Sequence, residues 1–511
     1  MDNEIIDFIN ILYKKHDNET IRTKIKDYVM KELPIRIDMF IERENKKHKI
    51  ETETDMYINN FLINSNSKYI YIPKTDVFLT YDNKNFNIIN ESVILYNILS
   101  DISQKKVLMQ WKHKIKNTIM KKIKNTSLFS IIPESYTIQK ILDFLTNSLF
   151  KSKDLSKYFL TIVGDNILKK PSNIIHLVDI KSKKFLVEMQ YLLHDYFKQI
   201  YKFDTSFKYS WNDYEYSNCR ILTFQPIVEN IDIWQNFITN NIFNIVSVAV
   251  YYSNRFNSSE LFLTSIPDLD TCNKINFLKN KTDVDIVKTF LQNMSITNSD
   301  NEEDKISLKE MHYLWKVFLK KNELPYIIFL STTTSVLKKL YVFNNNKFNN
   351  IKTEELKIIK TIDLFWKENI IKDNNSDLEI SDLCDLYNKW LQENDIDKES
   401  CLINEDKCKL YVDNFCDFPV NGRYIKNIKC TIWDKEAETK IIFDDIKLKY
   451  RFSNTIYDHS MDSLYSEYCD LCNNEYKYKI VCKLWFIKYI NQVIPEKYIN
   501  KNRILNDYWI S

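Results

Sequence analysis

Leu386-Tyr-Asn-Lys-Trp390 followed by Cys408-Lys-Leu-Tyr-Val412, and Leu464-Tyr-Ser-Glu-Tyr468 followed by Cys482-Lys-Leu-Trp-Phe486, form the pattern that decides the reading of this chain. Each pair places apolar residues at helical spacing, breaks at a polar turn, and resumes as a second helix. Between the pairs, Tyr424-Ile-Lys-Asn-Ile-Lys-Cys-Thr-Ile-Trp433 alternates in the two-residue period of a strand, and Lys440-Ile-Ile-Phe443 is read the same way. Two related helical hairpins with strands beside them are the outline of a winged-helix module. Residues 351–511 are therefore expected to form a winged-helix-like region.

Working outward, most of the remaining chain also has the helical period. Ile5, Ile9, Leu12, Ile21, Ile25, Val29 and Leu33 carry it through the N-terminal region, where Pro34 is expected to stop the helix. Tyr69-Ile-Tyr-Ile-Pro, Val77-Phe-Leu-Thr-Tyr and Phe86-Asn-Ile-Ile read as short strands ahead of a helix from Ser92 to Ile102. A basic helix over 105–125, a helix over 135–150 capped by Ser135, and two helices around Gly164 follow. Ser307-Leu-Lys-Glu310 matches a capping box, in which hydroxyl and carboxylate each satisfy an orphan amide. Asn298–Asp304 and Asn344–Asn350 read as linkers, with the main boundary at the second. The fold class expected is α+β, mainly helical and multi-domain, with small β hairpins. Its regions are 1–68 (helical), 69–152 (small α/β with the basic helix), 153–297 (central, mixed), 298–350 (linker and helices) and 351–511.

Composition narrows the chemistry. The chain has 511 residues, 44% of them hydrophobic, and a formal charge of only +3, so any basic surface must be local. It holds two glycines, Gly164 and Gly422, where an average chain this long would hold about 36. A phosphate-cradling loop needs several residues at positive φ with backbone close to the ligand, and neither phosphate-loop nor dinucleotide fingerprint can be written with two distant glycines. Ten cysteines without a secretory signal read as free thiols, and no apolar run approaches a membrane span (the longest resemble Tyr326-Ile-Ile-Phe-Leu330).

Lys112, Lys114, Lys116, Lys121, Lys122 and Lys124 lie in an acid-free stretch whose apolar stripe is Leu108, Trp111, Ile115, Ile119 and Ile123. A helix docked by that stripe would present its lysines to phosphates, binding with little sequence preference and strong salt dependence. Arg220 and Arg255 sit among tyrosines, where a planar guanidinium could stack on a base. Cys469, Cys472, Cys482 and His459 have the ligand types for zinc but lie in a helical pattern without knuckle glycines, so buried thiols are the better reading. Asp268-Leu-Asp270 and Asp283-Val-Asp285 could hold a divalent ion or simply form turns, and no nucleophile motif accompanies any histidine. No cofactor is expected.

Tyr158-Phe-Leu-Thr-Ile-Val-Gly-Asp-Asn-Ile-Leu-Lys-Lys170, the Tyr252-Ser-Asn-Arg-Phe256 stretch and the ending Asp507-Tyr-Trp-Ile-Ser511 resemble uncharacterised proteins of Mimivirus-type giant DNA viruses. Phe78-Leu-Thr-Tyr-Asp82 and the Leu-Tyr-x-x-Trp helix are similar to the flanks of poxvirus-type primase–helicases, although the ATPase loop of that family is absent. These resemblances imply a viral protein of the host cytoplasm, at viral factories. Its expected role is a non-catalytic adaptor contacting nucleic acid or viral and host proteins of nucleic-acid machinery, with no membrane partner. A scaffold of a translation-initiation-type complex and an unrecognised metal-dependent nuclease or transferase are the alternatives.

Overall fold

A computed structural model describes residues 2–64, 68–198, 203–301, 304–394, 401–452, 459–501 and 503–510. The chain forms two compact units, 1–286 with 319–334, and 287–318 with 335–511.

The first unit opens with helices α1 (Asp2–Lys15), α2 (Glu19–Asp27) and α3 (Leu33–Asn64). Pro34 does not end the helical run as expected. It sits in the first turn of α3, directly after a π-helical stretch over Tyr28–Glu32 in which the Leu33 amide bonds the Tyr28 carbonyl. A proline ring clashes with the carbonyl four residues back, and widening that turn to π geometry lets the helix pass. The expected strands form as β1 (Lys68–Ile72), β2 (Val77–Tyr81) and β3 (Phe86–Ile89), an antiparallel meander. Helices α4 (Glu91–Ser103) and α5 (Lys112–Lys124) cover it, a 3₁₀ stretch standing where the basic helix was expected to begin.

Helices α6 (Ser135–Ser148) and α7 (Lys153–Ile167) come next. Ser135 is not the cap of α6 but its first residue, and the capping position is Glu134, without a side-chain bond. Strand β4 (Ile175–Leu177), helix α8 (Lys183–Phe197), the short α9 (Phe203–Ser206) and strands β5 (Phe207–Lys208) and β6 (Cys219–Ile221) follow, the three strands pairing as a small parallel sheet with β4 central. Helix α10 (Ile231–Phe256) runs through the core of the unit, followed by α11 (Ser259–Leu263) and α12 (Leu269–Ile275).

Gly164 lies inside α7, where the helix crosses α10. A Cβ there would stand 2.1 Å from the Ala249 carbonyl oxygen and 2.7 Å from the Ser253 Cβ. Helix backbones can approach this closely only across small residues, and the chain places one of its two glycines opposite one of its two alanines.

The division between units falls within α13 (Asp283–Asn293), α14 (Leu308–Lys321) and α15 (Leu330–Leu340). The capping box at the start of α14 forms as read: the Ser307 amide donates to Glu310 Oε2 at 2.6 Å and the Glu310 amide to Ser307 Oγ at 3.2 Å. In the second unit, short strands β7 (Thr297–Asn298), β8 (Lys305–Ser307), β9 (Phe343–Asn344), β10 (Lys347–Asn349) and β11 (Ile351–Lys352) pair across the segments expected as linkers. Residues 344–350 thus belong to a β-hairpin. Asn345 and Asn346 both have positive φ (51° and 60°), as a two-residue type I′ turn requires. Residues 302–303 of the other expected linker lie outside the described residues.

The remainder of the second unit is one element order used twice. Helix α16 (Glu355–Asn369), strand β12 (Ile370–Glu379), helices α17 (Ile380–Glu393) and α18 (Glu405–Phe415), and strands β13 (Val420–Asn421) and β14 (Tyr424–Cys430) form the first copy. Helix α19 (Lys435–Arg451), strand β15 (His459–Ser460), helices α20 (Met461–Leu471) and α21 (Lys483–Val493), and strands β16 (Ile499–Asn500) and β17 (Arg503–Ile504) form the second. A last helix, α22 (Asn506–Ile510), buries Trp509 against Phe443 of α19. Both sheets are antiparallel with the third strand in the middle, β12–β14–β13 and β15–β17–β16.

The element order repeats, but the residues that match in sequence are out of phase. Cys408 is the fourth residue of α18, whereas Cys482 is the residue before α21, whose fourth residue is Phe486. Phe486 and Ile490 take the buried places that Cys408 and Val412 hold in the first copy, one helical turn from the apparent match. The shared geometry instead involves two tyrosines, each eighth in its helix. Tyr387 donates to the Cys401 carbonyl at 3.1 Å, and Tyr468 accepts from the Val481 amide at 3.4 Å, each tying the first helix of its copy to the approach of the second. Lys440-Ile-Ile-Phe443, expected as a strand, is the middle of α19, because Ile442, Phe443 and Ile446 bury one helical face.

The α7–α10 crossing and the end of α8 each set a stability outcome. Gly164→Ala drives a methyl into backbone that cannot rotate away and should destabilise the first unit by about 1–3 kcal/mol, read as a fall in the urea midpoint. Lys198, the left-handed residue closing α8 (φ 45°), should tolerate glycine with a gain of about 0.5–1 kcal/mol, read as a higher thermal midpoint.

Candidate functional site

Helix α5 is laid on its unit by Ile115, Ile119, Met120 and Ile123, all buried with Phe78 of β2, Ile94, Ile98 and Ile102 of α4, and Tyr57 and Ile58 of α3. The apolar stripe read from the sequence is the docking face. The outer face carries His113, Lys114, Lys121, Lys122 and Lys124, all exposed, while Lys112 and Lys116 are half-buried at the margin. Lys114 and Lys121, seven residues apart, point the same way.

The partners of these lysines leave most of their charge outward. Lys114 Nζ stands 4.1 Å from the Trp111 ring centroid, and Lys122 donates to Asn59 at 3.3 Å. Lys124 faces Glu91 at 3.9 Å and the rings of Tyr71 and Phe78. Among the described residues, Lys112, Lys114, Lys116 and Lys121 are in no ion pair. A surface pair such as Lys124–Glu91 is worth well under about 1 kcal/mol and yields readily to a phosphate.

The two arginines separate. Arg220, on β6, is only 3% exposed and is removed from the candidate surface: Nε and Nη2 grip the Glu260 carboxylate at 3.0 and 2.6 Å, and Nη1 bonds the Ser217 and Cys219 carbonyls at 2.7 and 2.8 Å. A guanidinium so engaged cannot stack on a base. Arg255, near the end of α10, is exposed, bonded to the Tyr251 hydroxyl at 3.0 Å and 5.4 Å from the Phe256 ring.

The sulfur ligands also fail to converge. All ten cysteines are free thiols, and among the described residues no three His, Cys, Asp or Glu side chains could hold one metal ion. Burial raises the thiols of Cys469 and Cys472 above their usual range, while Cys482 lies 3.4 Å from the Tyr424 hydroxyl. The side chain of His459 lies outside the described residues. The acidic pairs perform turn chemistry: Asp268 caps α12 through the Asp270 amide at 3.1 Å, Asp285 accepts from the Thr282 amide at 3.0 Å, and Asp283 accepts the Tyr216 hydroxyl at 2.7 Å.

One concavity was not legible in the sequence. A cavity of about 340 Å³ opens between the end of α7, strand β4 and Ser259, lined by Asp165, Lys170, His176 and Ser206 among others. Its size suits a small ligand. Two of its charged groups, however, are engaged with each other, Asp165 and Lys170 standing 3.7 Å apart, and with the frame around them. Asp165 accepts the Ser253 hydroxyl at 2.6 Å and the Ser259 amide at 2.7 Å, and Lys170 donates to the Ser253 and Asn257 carbonyls, both at 2.8 Å.

His176 packs beside Tyr158 and Phe207, and its Nδ1 lies 3.3 Å from the Ser206 carbonyl. A carbonyl only accepts, so Nδ1 carries the proton and Nε2 is a bare lone pair. Among the described residues, Nε2 and the Tyr158 hydroxyl are buried without a hydrogen-bond partner. Burial lowers the His176 pKa from 6.5 to about 3, so at neutral pH this imidazole is uncharged and carries no proton beyond the one on Nδ1. The cavity lining is organised to hold α7, α10 and α11 together. The signal that could have found it, Asp165 beside Gly164, is indistinguishable in sequence from any other helix carboxylate.

No protein-family model, no curated protein and no solved structure matches this chain.

A neutral buried histidine couples stability to pH. Its folded pKa is depressed, so unfolding takes up a proton between about pH 6.5 and 3, and stability present above 6.5 declines as pH falls through that window. At pH 5 the loss should be about 2 kcal/mol. His176→Phe, which keeps the ring packing, should make urea unfolding less sensitive to the change from pH 7 to pH 5 by about that amount; equal sensitivity in both proteins would refute the assignment.

Proposed function

We propose that this is a virus-encoded, non-catalytic adaptor that contacts nucleic acid or the machinery acting on it, in replication, transcription or translation, at viral factories in the host cytoplasm. The observation that supports this reading is the outer face of α5. Lysines that neutralise phosphates must be exposed, free of strong acid partners and held on a rigid support, and Lys114 and Lys121 meet all three conditions. The C-terminal element order, read as two winged-helix-like copies, agrees with such a role. Among the described residues no helix is long and apolar enough to cross a membrane.

A second reading, a protein–protein scaffold of a translation-initiation-type complex, is favoured by the N-terminal helices. Ile5, Phe8 and Ile11 of α1 and Ile35 and Phe40 of α3 are 57–64% exposed, an apolar display unusual for a surface without a partner.

Anisotropy titrations with labelled single- and double-stranded DNA and RNA, between about 50 and 200 mM salt, test the first reading. Binding should weaken steeply with salt. Lys114→Glu with Lys121→Glu should cost about tenfold in affinity and flatten the slope of log K against log salt by about 0.9 for each phosphate no longer neutralised. Neither substitution touches the core, so the thermal midpoint should not move. Binding unaffected by the reversal would remove α5 from the contact surface, and no binding by the unaltered protein would refute the reading and leave the scaffold.

A further inference from the structure

The two C-terminal copies share their element order but not their charge. Between residues 477 and 503, which span the approach to α21, the helix itself and the β16–β17 hairpin, stand Lys477, Lys479, Lys483, Lys488, Lys497, Lys501 and Arg503 against a single acid, Glu496. The matching stretch of the first copy, 401–429, sets Lys407, Lys409, Arg423, Lys426 and Lys429 against Glu405, Asp406, Asp413 and Asp417. Two of those cations are already engaged, Lys426 with Asp377 at 2.5 Å and Lys429 with Asp434 at 3.0 Å.

The faces of α21 are allotted. Phe486 and Ile490 point into the core of the second copy. Trp485 and Tyr489 stack on each other at 5.1 Å and face the start of α19, Trp485 at 4.9 Å from Lys435 Nζ and Tyr489 donating to the Glu436 carbonyl at 3.4 Å. The third face holds Lys483, Leu484, Ile487, Lys488 and Asn491. Lys483, Lys488 and Asn491 are exposed, and Leu484 is 76% exposed.

Beyond this helix, Lys497, Lys501 and Arg503 are exposed along the hairpin. Among the described residues, Lys477, Lys488, Lys497, Lys501 and Arg503 are in no ion pair. Lys483 meets Asp462 at 2.8 Å with both groups open to solvent, and Lys479 is consumed internally by Asp382 and Asp385.

We infer that the second copy binds duplex DNA, with the Lys483–Asn491 face of α21 in the major groove and the β16–β17 hairpin on the flanking backbone. A helix fits the roughly 12 Å major groove of B-form DNA, whereas the corresponding groove of an RNA duplex is too deep and narrow to admit it. Lysine and asparagine are residues that read base edges, and an exposed leucine suits the thymine methyl. Cations on a neighbouring hairpin would fix the register by contacting phosphates. The first copy is unsuited to the same role, because α18 opens with Glu405 and Asp406 where α21 opens with Lys483. This site rests on the reading of the protein as a nucleic-acid adaptor but uses none of the α5 residues.

The test measures affinity for a mixed-sequence DNA duplex, its RNA counterpart and each single strand, using the full chain. Lys488→Glu with Arg503→Glu should lower duplex-DNA affinity at least about tenfold and reduce the salt slope by about 0.9 per phosphate released, sparing single strands. Lys501→Glu, at an exposed hairpin position, provides an independent variant should the pair disturb folding, and Lys488→Arg should retain binding. Unchanged duplex binding by both variants overturns the inference, as does equal affinity of the unaltered protein for duplex RNA. If only the α5 reversal abolishes binding, this site fails and the adaptor reading stands; if the unaltered protein binds no nucleic acid, both fail.

Discussion

Helix α7 meets α10 so closely that a hydrogen atom is all that fits between Gly164 and the Ala249 carbonyl, and the order of the first unit depends on that approach. Next to Gly164, Asp165 reaches across the crossing to the Ser253 hydroxyl and the Ser259 amide, tying α7 to the end of α10 and the start of α11. Lys170 closes the same junction from the other side through the Ser253 and Asn257 carbonyls. A buried carboxylate is costly unless hydrogen-bonded, and here the close backbone approach supplies the donors. Tyr158, Phe159 and His176 then pack around a frame that is already set.

Glycine scarcity shapes the rest of the backbone. Left-handed conformation is least costly for glycine, with asparagine and aspartate next. Gly422 (φ 62°) is the only glycine used in this way, in the turn between β13 and β14. Elsewhere, among the described residues, asparagine takes the role at Asn83, Asn257, Asn280, Asn345, Asn346, Asn350 and Asn427, aspartate at Asp76 and Asp213, and lysine, serine or glutamate at Lys169, Lys198, Lys477, Lys501, Ser295 and Glu323. Tight hairpins therefore survive in a chain almost without glycine. A phosphate loop is more demanding, because it also needs backbone unshielded by side chains, and asparagine cannot provide that.

The C-terminal copies show how much a repeat can keep while its residues drift. Strand order, helix order and the tyrosine bond between the two helices persist. The surface charge has diverged, acidic at the start of α18 and basic at the start of α21. Residues that pack are held by their neighbours, whereas exposed residues answer only to solvent or a partner. The charge of each copy is thus the better guide to what it contacts.

Periodicity, capping chemistry and composition determined much of this protein by themselves. The mainly helical α+β character, the β1–β3 meander, the capping box at Ser307 and the buried stripe of α5 were all legible, because each depends on interactions within a few residues. Tertiary structure decided the rest. Arg220 stands among tyrosines in the sequence as Arg255 does, yet Glu260, forty residues away, binds it and closes it to any ligand. Lys440-Ile-Ile-Phe443 fits either period and became helix because α19 buries one face. The true register of the repeat was hidden, since helices shifted by one turn present the same apolar stripe and only contacts between elements distinguish them.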